Sequence, residues 1–310
     1  MIRFIVLSLT FSLIFVPTIG LGASKIKVVT TTTDLKALTE AVGGEKGEVE
    51  SIARGYQNPH FVEAKPSHMI KLRKADMFVK VGLELELWAQ VLTEGSRNRK
   101  IYPGADGYID ASEGVELLEI PTGQIDRSLG DIHIFGNPHY WLDPMNGIAI
   151  MENILRGLTH LAPQDAEYFR KNKEEYAQHL QEATAKWIKR MEPYRDTKIV
   201  TYHNSWPNFA KRFGLKVVGY IEPKPGIPAS PAHLASLISL MQRKKVKVII
   251  MEPYFSDQAP RLVASKTGAQ VLVLPPSVGG AEGVNSYIAL FEHNISKLIE
   301  TFEGEGGRVE

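Results

Sequence analysis

The chain contains no cysteine. That absence excludes disulfides, iron–sulfur clusters, thiolate zinc sites, a cysteine nucleophile and a lipid anchor on an N-terminal cysteine. Any metal site must therefore draw on imidazole, carboxylate, carbonyl or water. A charge excess is also missing: 36 Lys and Arg stand against 35 Asp and Glu, for a formal net charge of +1. A nucleic-acid surface needs a basic surplus to offset phosphates, so no nucleic-acid partner is expected. Short metal motifs such as H-E-x-x-H do not occur. Past the first 23 residues no segment is apolar enough to span a bilayer. The chain does have 44% hydrophobic and 23% charged residues over 310 positions. That is the composition of a globular protein, and the length suggests two domains.

Residues 1–23 read MIRFIVLSLTFSLIFVPTIGLGA. Arg3 supplies a positive start, Phe4 to Val16 a nearly continuous apolar run, and Gly20 and Gly22 the small residues of a cleavage site. The pattern predicts a secretory signal peptide, cut after Gly22 or Ala23. A membrane anchor fits less well, because the run is short and Pro17 interrupts it. The mature chain is expected to be soluble and exported to a bacterial periplasm, with no stable membrane insertion. An exported protein cannot count on cytosolic ATP or NAD, which weighs against many enzymes.

After the leader, β-branched runs alternate with amphipathic segments. Strands are predicted at 26–31, 49–53 and 77–81. Helices are predicted over 35–42 (capped by Asp34), from Ser67 to Lys74, and from Gly82 through Trp88. The same rhythm returns in the second half, with strands at 198–201, 216–221, 246–251 and 270–274. Helices lie over 206–213, 231–242, 258–267 and 285–302. Such alternation points to parallel sheets covered by helices. Between the halves, no strand is visible from Pro144 to Tyr194. Phe169, Tyr176, Leu180, Ala183, Trp187 and Met191 share one face of a single helix over 164–194. It would be roughly 45 Å long, enough to connect two domains. The expected divisions are a lobe at 24–145, a helical connector at 146–194, a second lobe at 195–304 and a disordered tail at 305–310.

Nine histidines remain to be placed. His68, His160, His179, His233 and His293 fall in helices or near their ends, where a solvated or locally bonded role suffices. His60 (GYQNPHF), His139 (GNPHYWLDP) and His203 (VTYHNSW) fall in loops. Pro59 and Pro138 stiffen the backbone just before the first two. Loops at the carboxyl ends of parallel strands are where open α/β sheets bind ligands. Three imidazoles meeting there would suit zinc. Spacing alone leaves the other reading open, that each ring serves only its own loop.

At these residues the chain resembles the zinc- and manganese-binding solute-binding proteins of ABC importers, the cluster A-I or TroA-like family. The resemblance rests on PHFVEAKPSHMIKLRKADMFVKVGLELELW, NPHYWLDP, VTYHNSWPNFAKRFGL, IPASPAHLASLISLMQRKKVKVIIMEPYFS and TGAQVLVL, in the family's order and spacing from about residue 27 to 302. It implies two α/β lobes, each a parallel sheet flanked by helices, joined by one long rigid helix. It also implies a transported ion between the lobes, held by His60, His139 and His203. The third position is His in zinc-type members and Glu in many manganese-type ones, so Zn2+ is the expected cargo, with Mn2+ or Fe2+ as alternatives. The implied partner is an ABC permease in the inner membrane, served by a monomer that catalyses nothing.

Two departures stand out. The family often has an acidic fourth ligand after the last strand of the second lobe, but here the stretch is LPPSVGG, with Pro276 and Ser277 at the aligned place. Water or Glu252 would take that role, with Glu63 and Glu222 as weaker candidates. The long His-rich insert of many zinc-type members is reduced to PTGQIDRSLGDIHIFG, whose one imidazole, His133, either collects metal transiently or lies in a plain loop. Asp143 is read as a helix start rather than a partner of His139. Tyr140, Trp141 and Trp206 either shield the site or form interlobe core.

Affinity is expected to drop as pH falls through about 6.5, where free imidazoles protonate. Two other function classes compete with this reading. A zinc hydrolase, with Glu252 as base, would require an open metal position and a substrate pocket. A carrier of an organic ligand would keep binding after loss of all three loop histidines.

Overall fold

The computed structural model describes residues 25–122 and 133–306. The expected signal peptide and the tail from 307 onward lie outside the described residues. Strands β1 (Ile26–Thr30), β2 (Gly47–Ser51), β3 (Met77–Lys80) and β4 (Tyr108–Asp110) form a parallel sheet in the order β2-β1-β3-β4. Strands β5 (Lys198–Thr201), β6 (Lys216–Tyr220), β7 (Val248–Met251) and β8 (Gln270–Val273) repeat that topology as β6-β5-β7-β8. Every residue of β7 is buried, as expected of a parallel strand covered on both faces. The repeat extends to a single hydrogen bond. Thr30 Oγ1 donates to the Thr32 carbonyl and Thr201 Oγ1 to the His203 carbonyl, each at 2.8 Å. His203 thus occupies in the second lobe the place that Thr32 holds in the first.

The first sheet carries α1 (Thr33–Gly43), α2 (Pro66–Arg73) and α3 (Trp88–Ser96), and the second carries α6 (Pro207–Phe213), α7 (Pro231–Lys244), α8 (Gln258–Thr267) and α9 (Tyr287–Gly306). Local chemistry sets several of these limits. Ser230 Oγ accepts from the His233 amide and Pro231 opens α7, a hydroxyl cap followed by a residue with no donor to satisfy. The cap of α1 is Thr32, not Asp34, which is drawn into the interior instead. The helix expected from Gly82 begins only at Trp88, because Leu83 and Glu84 sit at φ +52° and +62°. Helical residues do not adopt such values. Strand β4 has only three residues, too few for the sequence pattern to reveal.

Between the lobes run α4 (Asn146–Leu161) and α5 (Ala166–Met191). The long helix expected over 164–194 is α5, entered through a short turn at Pro163–Asp165, and α4 fills the earlier part of the helical connector. Helix α4 packs on α1, β3 and β4, with the first lobe. Helix α5 has 26 residues, about 39 Å at 1.5 Å per residue. It touches α1 and α4 at one end and α6 and α9 at the other. Phe169, Leu180, Trp187 and Met191 on its predicted face are buried.

One apolar core runs through both lobes and this helix, from Leu38 and Ile154 by way of Trp141 and Trp187 to Phe209 and Phe291. Polar bonds reinforce the junction. Arg212 Nε and Nη2 donate to the two Asp143 oxygens, each at 2.7 Å. The Val278 amide donates to Asp34 Oδ1 at 2.9 Å, and Trp141 Nε1 to the Pro276 carbonyl at 2.8 Å. Gly55 packs so closely on the stretch 278–280 that a Cβ there would lie 2.0 Å from the Val278 carbonyl oxygen.

Candidate metal centre

The loops after β2, before α4 and after β5 meet at the carboxyl edges of the two sheets. They bring His60, His139 and His203 together. One ring nitrogen from each lies within 4.8 Å of the others. Among the described residues no other group of three or more His, Asp or Glu side chains has this geometry. His139 and His203 are buried and His60 is half-buried.

The loops are built alike where they present the first two rings. Asn58-Pro59-His60 and Asn137-Pro138-His139 are the same tripeptide. In each, the Asn Oδ1 accepts the histidine backbone N–H at 3.0 Å. An asparagine closing on the backbone two residues ahead is a side-chain turn, and the intervening proline fixes φ. Trp88 Nε1 then pins the first loop through the Pro59 carbonyl at 2.8 Å.

Hydrogen-bond partners fix the tautomers. The Asn137 amide nitrogen donates to Glu119 Oε2 at 3.0 Å and to the Asn204 carbonyl at 2.9 Å. Its Oδ1 must therefore face His139, so His139 Nδ1, 3.1 Å away, is the protonated nitrogen. His203 Nδ1 lies 2.5 Å from Glu222 Oε2 and is likewise the donor. In both rings Nε2 is thus the nitrogen left to face a metal. His60 Nε2 approaches His139 Nε2 to 3.0 Å. Two nitrogens on tetrahedral positions of one zinc, each 2.0–2.1 Å from it, are about 3.3 Å apart. Two lone pairs facing at such a distance repel unless a proton or cation lies between them.

Burial pushes the His60 and His139 imidazoles well below the usual histidine range, and neighbouring imidazoles add to the effect. Both rings are neutral at pH 7, and a cation need not first expel protons from them. Desolvation disfavours the charged ring, so these two rings protonate only below the pH of about 6.5 expected of free imidazoles.

Glu252 stands outside the group. Its Oε1 accepts from Ser205 Oγ at 2.5 Å and Trp206 Nε1 at 3.0 Å. It anchors the turn that follows His203. Glu63 is exposed beside Lys65. Glu222, also considered as a ligand, instead orients His203, with its Oε1 held by the Gly226 amide at 2.9 Å. Pro276 and Ser277 contribute no carboxylate, and their stretch is tied down by Trp141, Asp34 and Gly55. Asp143 accepts from the Met145 amide at the start of α4 and pairs with Arg212, as the helix-start reading expects. The Trp141 ring lies 5.2 Å from that of His139, while Trp206 packs edge-on against Phe209. The ring of His133 lies 5.2 Å from that of His60. It lines, with Glu119, Asn137, His139, His203 and Asn204, a cavity of about 270 Å³. Elsewhere His160 pairs with Asp106 and His233 with the Tyr220 carbonyl, the local roles expected of them.

Sequence reasoning missed Asn58 and Asn137 and weighed Glu222 only as a weaker candidate ligand, not as the partner of His203 Nδ1. The repeated Asn-Pro-His tripeptide was the available signal for the asparagines. No sequence signal joins Glu222 to His203, since helix α6 and strand β6 separate them.

A family model described as zinc-uptake complex component A, periplasmic, matches residues 28–301. Curated relatives include an iron-binding protein of Yersinia pestis, 28% identical over 90% of this chain and 87% of its own. A high-affinity zinc uptake system protein of Bacillus subtilis is 26% identical, over 89% and 88%. A manganese ABC transporter substrate-binding lipoprotein of Streptococcus pneumoniae serotype 4 is 27% identical, over 90% of each chain. Among solved structures, a crystal structure of ZnuA superposes with a TM-score of 0.76 at 22% identity, covering 90% of this chain and 99% of that one. That likeness concerns the fold.

Proposed function

The chain belongs to the family of periplasmic zinc-uptake complex component A proteins, and from that premise we propose that it captures Zn2+ at His60, His139 and His203 for delivery to an ABC permease in the inner membrane. The family consists of solute-binding components of metal importers. Its members take up a metal on the outer side of the cytoplasmic membrane. Among the described residues no helix is long and apolar enough to cross a membrane.

The observation that carries the reading is the convergence of three ring nitrogens within 4.8 Å, two of them with tautomers fixed by Asn137 and Glu222. A set of neutral nitrogens favours zinc over manganese, which prefers carboxylate and carbonyl oxygen. Carboxylate–histidine pairing is the usual support of a zinc ligand. The cavity beside His139 and His203, about 270 Å³, lies at the small end of the range for pockets that enclose organic ligands of drug size. That favours an ion over a chelate. The curated relatives carry zinc, manganese and iron in their names, so the metal must be measured directly.

The test is metal analysis of the mature protein purified without a tag, followed by competition titration with zinc and manganese. One zinc per chain, not displaced by equimolar manganese, is the expected result. The triple variant His60→Ala/His139→Ala/His203→Ala should bind none. Wild-type protein that binds no divalent ion, or a triple variant that binds as well as wild type, would overturn the proposal. Manganese or iron displacing zinc would keep the role and change the cargo.

A further inference from the structure

We infer that Asn137 is a positioning residue that couples metal binding at His139 to the seating of the carboxy-terminal lobe; the inference rests on the three-histidine reading of the site. Asn137 is 6% exposed, and both ends of its amide are in use. The oxygen accepts from the His139 backbone and from its Nδ1. The nitrogen donates to the Asn204 carbonyl, in the opposite lobe beside His203, and to Glu119 Oε2. Asn204 closes the arrangement by donating its own amide to the same Glu119 oxygen at 2.8 Å.

Three features set this apart from ordinary interlobe contact. First, the Asn137 amide cannot rotate without breaking bonds on both sides, because Glu119 and the Asn204 carbonyl only accept. The His139 tautomer and the lobe contact therefore stand or fall together. Second, Glu119 holds its place at φ +55°, a left-handed conformation that a non-glycine residue keeps only where its surroundings enforce it. Third, the chain of donors is polarised in one direction. A cation on His139 Nε2 makes Nδ1–H a stronger donor, which strengthens donation from the Asn137 amide in turn.

The consequence is mechanical. A bound ion tightens the lobe contact. Drawing the carboxy-terminal lobe away removes the Asn204 carbonyl and leaves Glu119 as the one remaining acceptor of the Asn137 amide nitrogen, which loosens the hold on the oxygen that faces His139 Nδ1–H. Separation of the lobes by a membrane partner would thus weaken one ligand without touching the ion.

The experiment measures Zn2+ affinity and dissociation rate on the mature chain, by competition with a chromogenic chelator, together with 15N spectra of the His139 ring. Glu119→Ala leaves the Asn137–His139 pair intact but removes the acceptor of two amides. It should raise the dissociation rate several-fold with the Nδ1–H tautomer retained. Asn137→Ala should cost roughly 10–100-fold in affinity, the range for loss of a group supporting a ligand, and should mix the tautomers. Asn137→Asp keeps an acceptor for His139 but sets a carboxylate against Glu119 and the Asn204 carbonyl, so affinity should fall. Adding Glu119→Gln, whose amide can donate to the carboxylate introduced at position 137, should recover most of the loss. A structural role alone would not produce that recovery. Zinc binding by wild type with an unchanged rate in Glu119→Ala, or with no recovery in the double variant, overturns the coupling alone. No zinc binding by wild type overturns the metal reading and the coupling with it.

Discussion

Replacing Glu222 by glutamine tests how much of the zinc affinity comes from a group that never touches the ion. In the structure Glu222 Oε2 lies 2.5 Å from His203 Nδ1, and both side chains are mostly buried, at 11% and 8% exposure. The pair is a charge-assisted hydrogen bond sheltered from water, about twice as strong as a neutral one. Glutamine keeps an oxygen for Nδ1–H, which preserves the tautomer, but its NH2 then replaces the acceptor of the Gly226 N–H. The negative charge that strengthens this hydrogen bond is lost. Supports of this kind are worth about 10–100-fold in metal affinity. The glutamine variant should sit near the lower end, about 10-fold or 1.4 kcal/mol. Glu222→Ala leaves the Nδ1–H without a partner in a buried place and should approach 100-fold, about 2.7 kcal/mol. Alanine should also lower the stability of the metal-free protein by about 1–3 kcal/mol, the cost of an unsatisfied buried donor. Competition against a chelator of known affinity gives the first quantity, and urea unfolding without metal gives the second. Glutamine and alanine variants that both bind zinc within twofold of wild type, while folding normally, would refute the argument that the carboxylate acts through His203.

Glu252→Gln should retain one zinc per chain, whereas His139→Ala should lose at least 100-fold in affinity; metal analysis after dialysis separates the two. Burial pushes Glu86 up to about 7, with Thr31, Lys80 and the Val81 amide pulling the other way. The folded chain therefore holds a proton that the unfolded chain releases above about 4.5. Stability should fall as pH rises from about 4.5 to 7 and level off above, by on the order of 3 kcal/mol from this group. Denaturant unfolding across pH should show a shallower slope in Glu86→Gln, and an unchanged slope would count against it. Gly55→Ala forces a Cβ against the backbone of 278–280; thermal unfolding should drop by several degrees, and an unchanged midpoint would mean the two loops part easily.

The alternation of β-branched and amphipathic segments placed nearly every strand and helix, because buried parallel strands and one-sided helices impose those periods on any sequence. The long face through Phe169, Leu180 and Trp187 marked α5 for the same reason. Composition excluded thiolate chemistry outright, and the prolines before His60 and His139 marked the loops that matter. Two features were out of reach. Strand β4 is too short to have a period. The turn at Leu83 and Glu84 depends on left-handed backbone that no composition announces.

The sequence by itself determined which residues were available to bind an ion and on which loops they stand, since residue type and local backbone preference act over a few neighbours. Only the tertiary structure decided that rings 79 and 64 positions apart in the chain bring nitrogens within 4.8 Å of one another, that Glu222 hydrogen-bonds His203, and that one Glu252 oxygen accepts from Ser205 and Trp206. Those outcomes follow from the way two copies of one sheet topology face each other across a continuous core, a relation between distant segments that no local pattern encodes.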